Sequence, residues 1–320
     1  MKCKTIQKGS CFGIMCPSSR CKEPKTVERF LNYLTSLGFK YKVGKTVSAS
    51  YGYLAGTDEL KASDFNTFMK DDEVDAILCF RGGYGSIRFL DLIDYEQIKK
   101  TPKLVAGFSD VTALINAIYQ KTGVPMLHGE MGIRFKEEFI DNPDFSFRNL
   151  IDTLLGIAPK NLLEEVNNSN LEKKIEFKEG KDGIVEGIIV GGNLSLVASM
   201  MGTPYEIDTK DKILLLEDVT EEPYAIDRYL ATLKVAGKLK QVKAILMGYY
   251  TNCDKTDPND DTQSLMDVLY EYTKDLDCPV IYNFPTGHDR PFVSVPIGLK
   301  ARVNVKEESV IVLEDLFFDK

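Results

Sequence analysis

The chain's most direct chemistry sits on a corner. Residues 104–120 read LVAGFSDVTALINAIYQ. Leu104, Val105 and Ala106 are typical of the end of a buried strand, Gly107 permits a reversal, and Val111, Leu114, Ile115 and Ile118 repeat at helical spacing. Ser109 stands between strand and helix, where its hydroxyl is pushed outward. The free amides of the first helical turn lie beside it and can stabilise an oxyanion. Ser and Asp are also the commonest helix caps, and Val111 occupies the place of the second glycine in G-x-S-x-G. Taken alone, the turn is compatible with either role.

A serine nucleophile needs a base, because its hydroxyl does not ionise unaided. The sequence offers two histidines. His128, in PMLHGEM, follows a short apolar run and reads as a buried, satisfied side chain. His288, in FPTGHDRPF, is bracketed by Pro285, Gly287 and Pro291, whose rigid turns hold a side chain outward, and is the favoured base. Glu217 closes the strand KILLLE and is placed to orient such a base. It also belongs to the acidic run Glu217, Asp218, Glu221 and Glu222, which could merely cap the helix opened by Pro223. The loop RGGYGS, residues 81–86, has two readings as well. Gly82, Gly83 and Gly85 let the chain turn after a strand, or let backbone amides approach a substrate oxygen. The loop matches neither G-x-G-x-x-G nor a phosphate-binding loop ending in G-K-S or G-K-T.

Other chemistries find less support. The seven cysteines form no C-x-x-C pair, so zinc is not expected and free thiols are. Cys79 and Cys278 lie in apolar runs where burial is the default. The stretch TDPNDDTQS alternates Asp257, Asn259 and Asp261 like a calcium loop. Thr262 and Val268 stand where that loop needs glycine and glutamate, so a solvated turn and helix cap is expected instead. A net charge of −8 argues against a nucleic-acid partner. No apolar run is long enough to span a membrane, and the first twenty residues lack the apolar core of a signal peptide, so the chain reads as cytoplasmic.

These residues need elements to hold them. The 320-residue length suggests two domains. Strands at 11–16, 41–43, 74–80 and around Leu104 alternate with helices at about 25–37, 59–69 and 87–93. That alternation predicts an α/β fold whose N-terminal sheet is mostly parallel and flanked by helices. Its ligand would then sit beyond the strands' carboxyl ends, near Pro17, Gly83 and Ser109. Residues 157–183 turn polar. The expected division is an N-terminal domain at 1–160 carrying the nucleophile, a linker or crossover at 161–184, and a C-terminal domain at 185–320 carrying Glu217 and His288. The C-terminus reads as a hairpin.

In order and spacing, RGGYGS, GFSDVTAL, GGNLSL, LLLED and PTGHDRP resemble the LD-carboxypeptidases, serine peptidases that include the microcin C self-immunity peptidases. The resemblance runs from Pro17 to Gly298. It implies a Ser109–Glu217–His288 triad, an oxyanion hole from the amides of Gly83 and Asp110, and no metal or cofactor. It also implies an α/β domain joined to a C-terminal domain with β-barrel character, a site in the cleft between them, and a homodimer. The implied reaction is hydrolysis of the amide to the terminal D-alanine of murein tetrapeptide in cell-wall recycling. A guanidinium would suit that substrate's carboxylate, and Arg81 and Arg290 flank two of the motifs. The main alternative is cleavage of aminoacyl-nucleotide conjugates. Those relatives often stack the base on tryptophan, and this chain has none. A second alternative is a non-catalytic ligand-binding module.

Overall fold

The computed structural model describes residues 1–140, 142–166, 174–255, 257 and 261–318. The chain forms two compact units. The first comprises Met1–Ala158 together with Ser294–Gly298 and Asp315–Lys320. Its strands and helices alternate as β1 (Cys11–Met15), α1 (Pro24–Ser36), β2 (Lys40–Val43), α2 (Asp58–Lys70), β3 (Ala76–Cys79), α3 (Tyr95–Lys100), β4 (Leu104–Gly107), α4 (Val111–Thr122), β5 (Met126–His128) and α5 (Phe145–Leu155). The sheet order is β2-β1-β3-β4-β5, all parallel, closed on its far edge by a late strand, β11 (Val295–Ile297), antiparallel to β5. β1, β3 and β4 are buried at every position, which is why they read as continuous apolar runs. α1 starts on Pro24, whose missing N–H costs nothing at a first helical position, and buries Phe30, Tyr33 and Leu34. Phe30 and Tyr33 meet Phe135 and Phe147 in an aromatic cluster, with Phe135 edge-on to Phe147 at 5.0 Å between centroids. Each such pair contributes about 0.5–1.5 kcal/mol beyond its buried area. The helix expected at 87–93 is instead a 3-10 segment, Ser86–Leu92. Ser86 is pinned from below, and Asp94 already caps α3, so there is no length for α turns to propagate.

The second unit comprises Pro159–Val293 and Leu299–Glu314. Its elements are β6 (Glu176–Lys178), β7 (Ile184–Asn193), α6 (Leu194–Ser199), β8 (Lys212–Val219), α7 (Pro223–Val235), β9 (Ala244–Thr251), α8 (Leu265–Thr273), β10 (Val280–Tyr282), β12 (Lys300–Asn304) and β13 (Ser309–Val312). The seven strands run in the order β13-β12-β7-β8-β9-β10-β6. The central four are parallel, and β12, β13 and β6 add antiparallel edges, giving a curled half-barrel. The C-terminal hairpin is β12–β13. Within the calcium-like stretch, Asn259 lies outside the described residues, whereas Ser264 caps α8 in a reciprocal pair with Asp267. No helix among the described residues is long and apolar enough to cross a membrane.

Candidate active site

In the first unit, three strand ends meet around Ser109. The strand order reverses between β1 and β3, and ligands of such sheets sit beyond the carboxyl ends near that reversal. Ser109 has φ 61°, a left-handed conformation that is uncommon for a residue with a side chain. Strained residues of this kind cluster at functional sites, and nucleophiles of other hydrolases are held on such strand-to-helix turns. From Lys103 to Ile118, every residue except Ser109 is buried. The backbone therefore lifts one hydroxyl out of the core. Gly107 does not carry the reversal, which belongs to Ser109 itself. The glycine instead permits close packing, since a Cβ there would stand 2.9 Å from both Cys79 Cβ and Val111 Cγ1.

Asp110 precedes α4, yet its side chain makes no capping bond. The carboxylate is buried and accepts from the Ser18 hydroxyl at 2.5 Å and the Ser86 amide at 2.7 Å. The Ser86 hydroxyl donates back to the Asp110 carbonyl. Burial pushes the Asp110 carboxyl upward, and these hydrogen bonds pull it down. One carboxylate thus ties the turns after β1, β3 and β4 together. A Cβ on Gly82 would lie 3.1 Å from Ser109 Cβ and 3.3 Å from its Oγ, so the glycine loop rests against the serine side chain. Gly83 has φ 109°, and a Cβ there would overlap the Ser19 side chain. Among the described residues, no hydrogen bond engages the amides of Gly83 and Asp110.

The second unit assembles its own pair. On β9, Gly248 and Tyr249 together face Glu217, because Leu216 pairs with Met247 and Asp218 with Tyr250. Such bulges re-aim a side chain. Gly248 leaves room for two neighbours, since a Cβ would come within 2.7 Å of the Thr286 carbonyl and 2.9 Å of Glu217 Cβ. The Tyr249 amide donates to that carbonyl at 2.8 Å, and the Thr286 hydroxyl donates to the Val293 carbonyl at 2.8 Å. The loop after β10 is thereby fixed across β9. Gly287 follows at φ 120°, where a Cβ would stand 2.9 Å from Glu217 Oε2. His288 then places Nδ1 2.7 Å from Glu217 Oε2. The Glu217 side chain is fully buried, and that of His288 is 17% exposed. A carboxylate facing Nδ1 selects the tautomer protonated there, leaving Nε2 as the basic nitrogen.

Asp218 is buried next to Glu217 and accepts from Asn193 Nδ2 and the Ser195 amide, each at 2.9 Å. Burial, and then the charge of Glu217, push its carboxyl up to about 7. The acidic run therefore divides. Glu217 and Asp218 belong to the sheet, whereas Glu222 stands at the start of α7 with Pro223 as its first residue.

The structure thus groups Ser109, Gly83 and Asp110 in the first unit, and Glu217 with His288 in the second. Arg81 follows β3 in the first unit and Arg290 follows His288 in the second, both half-buried. The Arg290 amide donates to the Asp289 carboxylate at 2.9 Å. His128 is fully buried. Burial pushes the Cys79 and Cys16 thiols far up and Cys253 up to about 12, which removes them as thiolates near neutral pH. Cys278 is half-buried instead of enclosed. Among the described residues, no cluster of His, Cys, Asp and Glu could hold a metal. Sequence reasoning missed the buried polar residues Ser18, Ser86, Asp218 and, on α2, Lys61. The serines sit in turns read for their proline and glycine, and nothing local in the sequence marks Lys61 as buried.

The sequence matches the LD-carboxypeptidase N-terminal domain over residues 12–129 and the LD-carboxypeptidase C-terminal domain over residues 186–303. It is 38% identical to a probable murein peptide carboxypeptidase of Bacillus subtilis, covering 97% of this chain and 94% of that protein. It is 30% identical to a murein tetrapeptide carboxypeptidase of Pseudomonas aeruginosa, covering 86% and 87%. The fold is shared with the microcin C7 self-immunity protein solved with aspartyl sulfamoyl adenosine, at a TM-score of 0.86 and 24% identity over 99% of this chain and all (100%) of the other. The chain belongs to the LD-carboxypeptidase family and is a serine-type carboxypeptidase.

Proposed function

We propose that this protein hydrolyses the amide between an L-configured centre of murein tetrapeptide and its terminal D-alanine, using Ser109 as nucleophile, His288 as base and Glu217 as orienting acid. One observation carries the reading: Ser109 alone is lifted from an otherwise buried stretch, at φ 61°, with a glycine loop against its side chain. His288 Nε2 takes the proton as Ser109 attacks the scissile carbonyl. The amides of Gly83 and Asp110 receive the oxyanion. His288 then protonates the departing amine of D-alanine, and water, activated by the same imidazole, releases the acyl group. The substrate assignment is supported by the names of the Bacillus and Pseudomonas relatives. Arg81 and Arg290 are the candidates for the terminal carboxylate. A cytoplasmic homodimer acting in cell-wall recycling completes the proposal.

Incubation with murein tetrapeptide, followed by mass, tests it. The expected result is loss of one alanine residue, absent with Ser109→Ala. Cleavage of an aminoacyl-nucleotide conjugate with murein peptide untouched would shift the substrate class. Activity surviving Ser109→Ala would overturn the mechanism.

A further inference from the structure

Lys61 of α2 has a side chain with 0% exposure, and a buried ammonium is costly unless fully partnered. Its partners are specific. Nζ lies 2.9 Å from Asp58 Oδ1, donates to the Gly85 carbonyl at 2.8 Å, and stands 5.3 Å from the centre of the Phe89 ring. Arg88 holds Asp58 from the other side, through Nε at 3.0 Å and Nη2 at 2.9 Å to Oδ2. The amide of the same peptide group, Ser86 N–H, donates to the Asp110 carboxylate at 2.7 Å. The Gly85–Ser86 peptide is therefore gripped at both polar groups, by a buried cation and a buried anion. Gly85 sits at φ 128°, two residues after Gly83 and three after Gly82, which lies against Ser109.

An apolar side chain of similar volume would fill this space at no electrostatic cost, and buried ion pairs replaced in that way are often no less stable. The ammonium instead ends on a loop carbonyl. We propose that Lys61 is a positioning residue for the oxyanion loop, clamping the Gly85–Ser86 peptide against Asp110 so that the Gly83 amide is held ready for the charge that develops on the substrate oxygen. The proposal rests on Ser109 being the nucleophile.

The test uses the full chain with Lys61→Met, which keeps the stem and loses the charge, and Lys61→Arg, which keeps the charge. Hydrogen exchange in peptides covering residues 81–87 reads the loop directly, whatever the substrate. Exchange there should quicken in Lys61→Met while α4 keeps its protection. The turnover number should fall about 10- to 100-fold with KM changed less than about twofold, and affinity for a tetrahedral phosphonate analogue should fall by the same factor as turnover. Lys61→Arg should recover part of each loss. Unchanged loop exchange overturns the proposal, as does a lower Tm with turnover intact, or a loss confined to KM. If Lys61→Met does not fold, Asp58→Asn weakens the same clamp and is read by the same outcomes. Cleavage that survives Ser109→Ala defeats the nucleophile assignment instead, and leaves the exchange result to judge the clamp.

Discussion

Around Ser109 in the first unit the candidate groups are mostly backbone ones, held from behind by the side chains of Asp110 and Lys61, whereas Glu217 and His288 in the second unit are themselves a pair of side chains. On the first side, the proposed working parts are a left-handed serine, two glycines and two amides. On the second, they are a buried carboxylate, an imidazole 2.7 Å away, and another carboxylate beside them. The difference teaches where each side is fragile. A backbone-built site fails when a Cβ is added. A charge-built site fails when a proton or a charge is moved.

The largest effect expected is from Ser109→Ala, which removes the proposed nucleophilic oxygen. Turnover should fall by about 10⁴–10⁶ while substrate still binds, measured by steady-state hydrolysis and by calorimetric titration. Next is Glu217→Gln, which keeps the shape and removes the charge, and lets the amide favour the wrong imidazole tautomer. A loss of about 10⁴ in turnover is expected, with the fold unchanged by circular dichroism. Gly83→Ala probes the backbone side. Its Cβ would overlap the Ser19 side chain in a conformation strained for alanine, so turnover should drop about 10²–10³-fold with a smaller change in KM. If Gly83→Ala were harmless and Glu217→Gln severe, the amide half of the comparison would fail.

How much of this was legible follows from the same division. Local signals reach the backbone side: a strand running into a helix, glycines in a row, and a serine on the corner single out Ser109 and Gly83 as candidates before any contact is known. His288 and Glu217 were legible from strand ends and rigid turns, but the even choice between orienting acid and helix cap needed the fold. Burial of both Glu217 and Asp218, with Glu222 left at the start of α7, decides against the cap. Lys61 was illegible, because nothing in DELKASDF separates an enclosed lysine from a solvated one. Long-range pairing hides in the same way. The stretch expected to be a linker carries β6, which pairs with β10. Val295–Ile297 lies in the portion expected to be C-terminal, yet pairs with β5 of the first unit. Pro296 gives no strand signal, and it is tolerated there because β11 is an edge strand.

The smallest effect sharpens the charge side. Folded Asp218 keeps its proton up to about pH 7, whereas an unfolded aspartate loses it near about pH 3.9. Between those values the folded state binds the extra proton. This contribution to stability is complete below about pH 4, is lost as pH rises toward 7, and is constant above. Asp218→Asn does not titrate. Its Tm relative to the unaltered protein should therefore climb between pH 4 and 7 and then level, by differential scanning calorimetry. A difference independent of pH would place the Asp218 proton elsewhere.

The account centres on Ser109 being made reactive by His288. The most direct measurement is the labelling rate of Ser109 by a serine-directed organophosphorus reagent, followed by peptide mass, in the unaltered protein and in His288→Ala. The expected result is one adduct, on Ser109, with a rate that collapses by orders of magnitude when the imidazole is removed. Labelling at the same rate without His288, or an adduct on another residue, would contradict it.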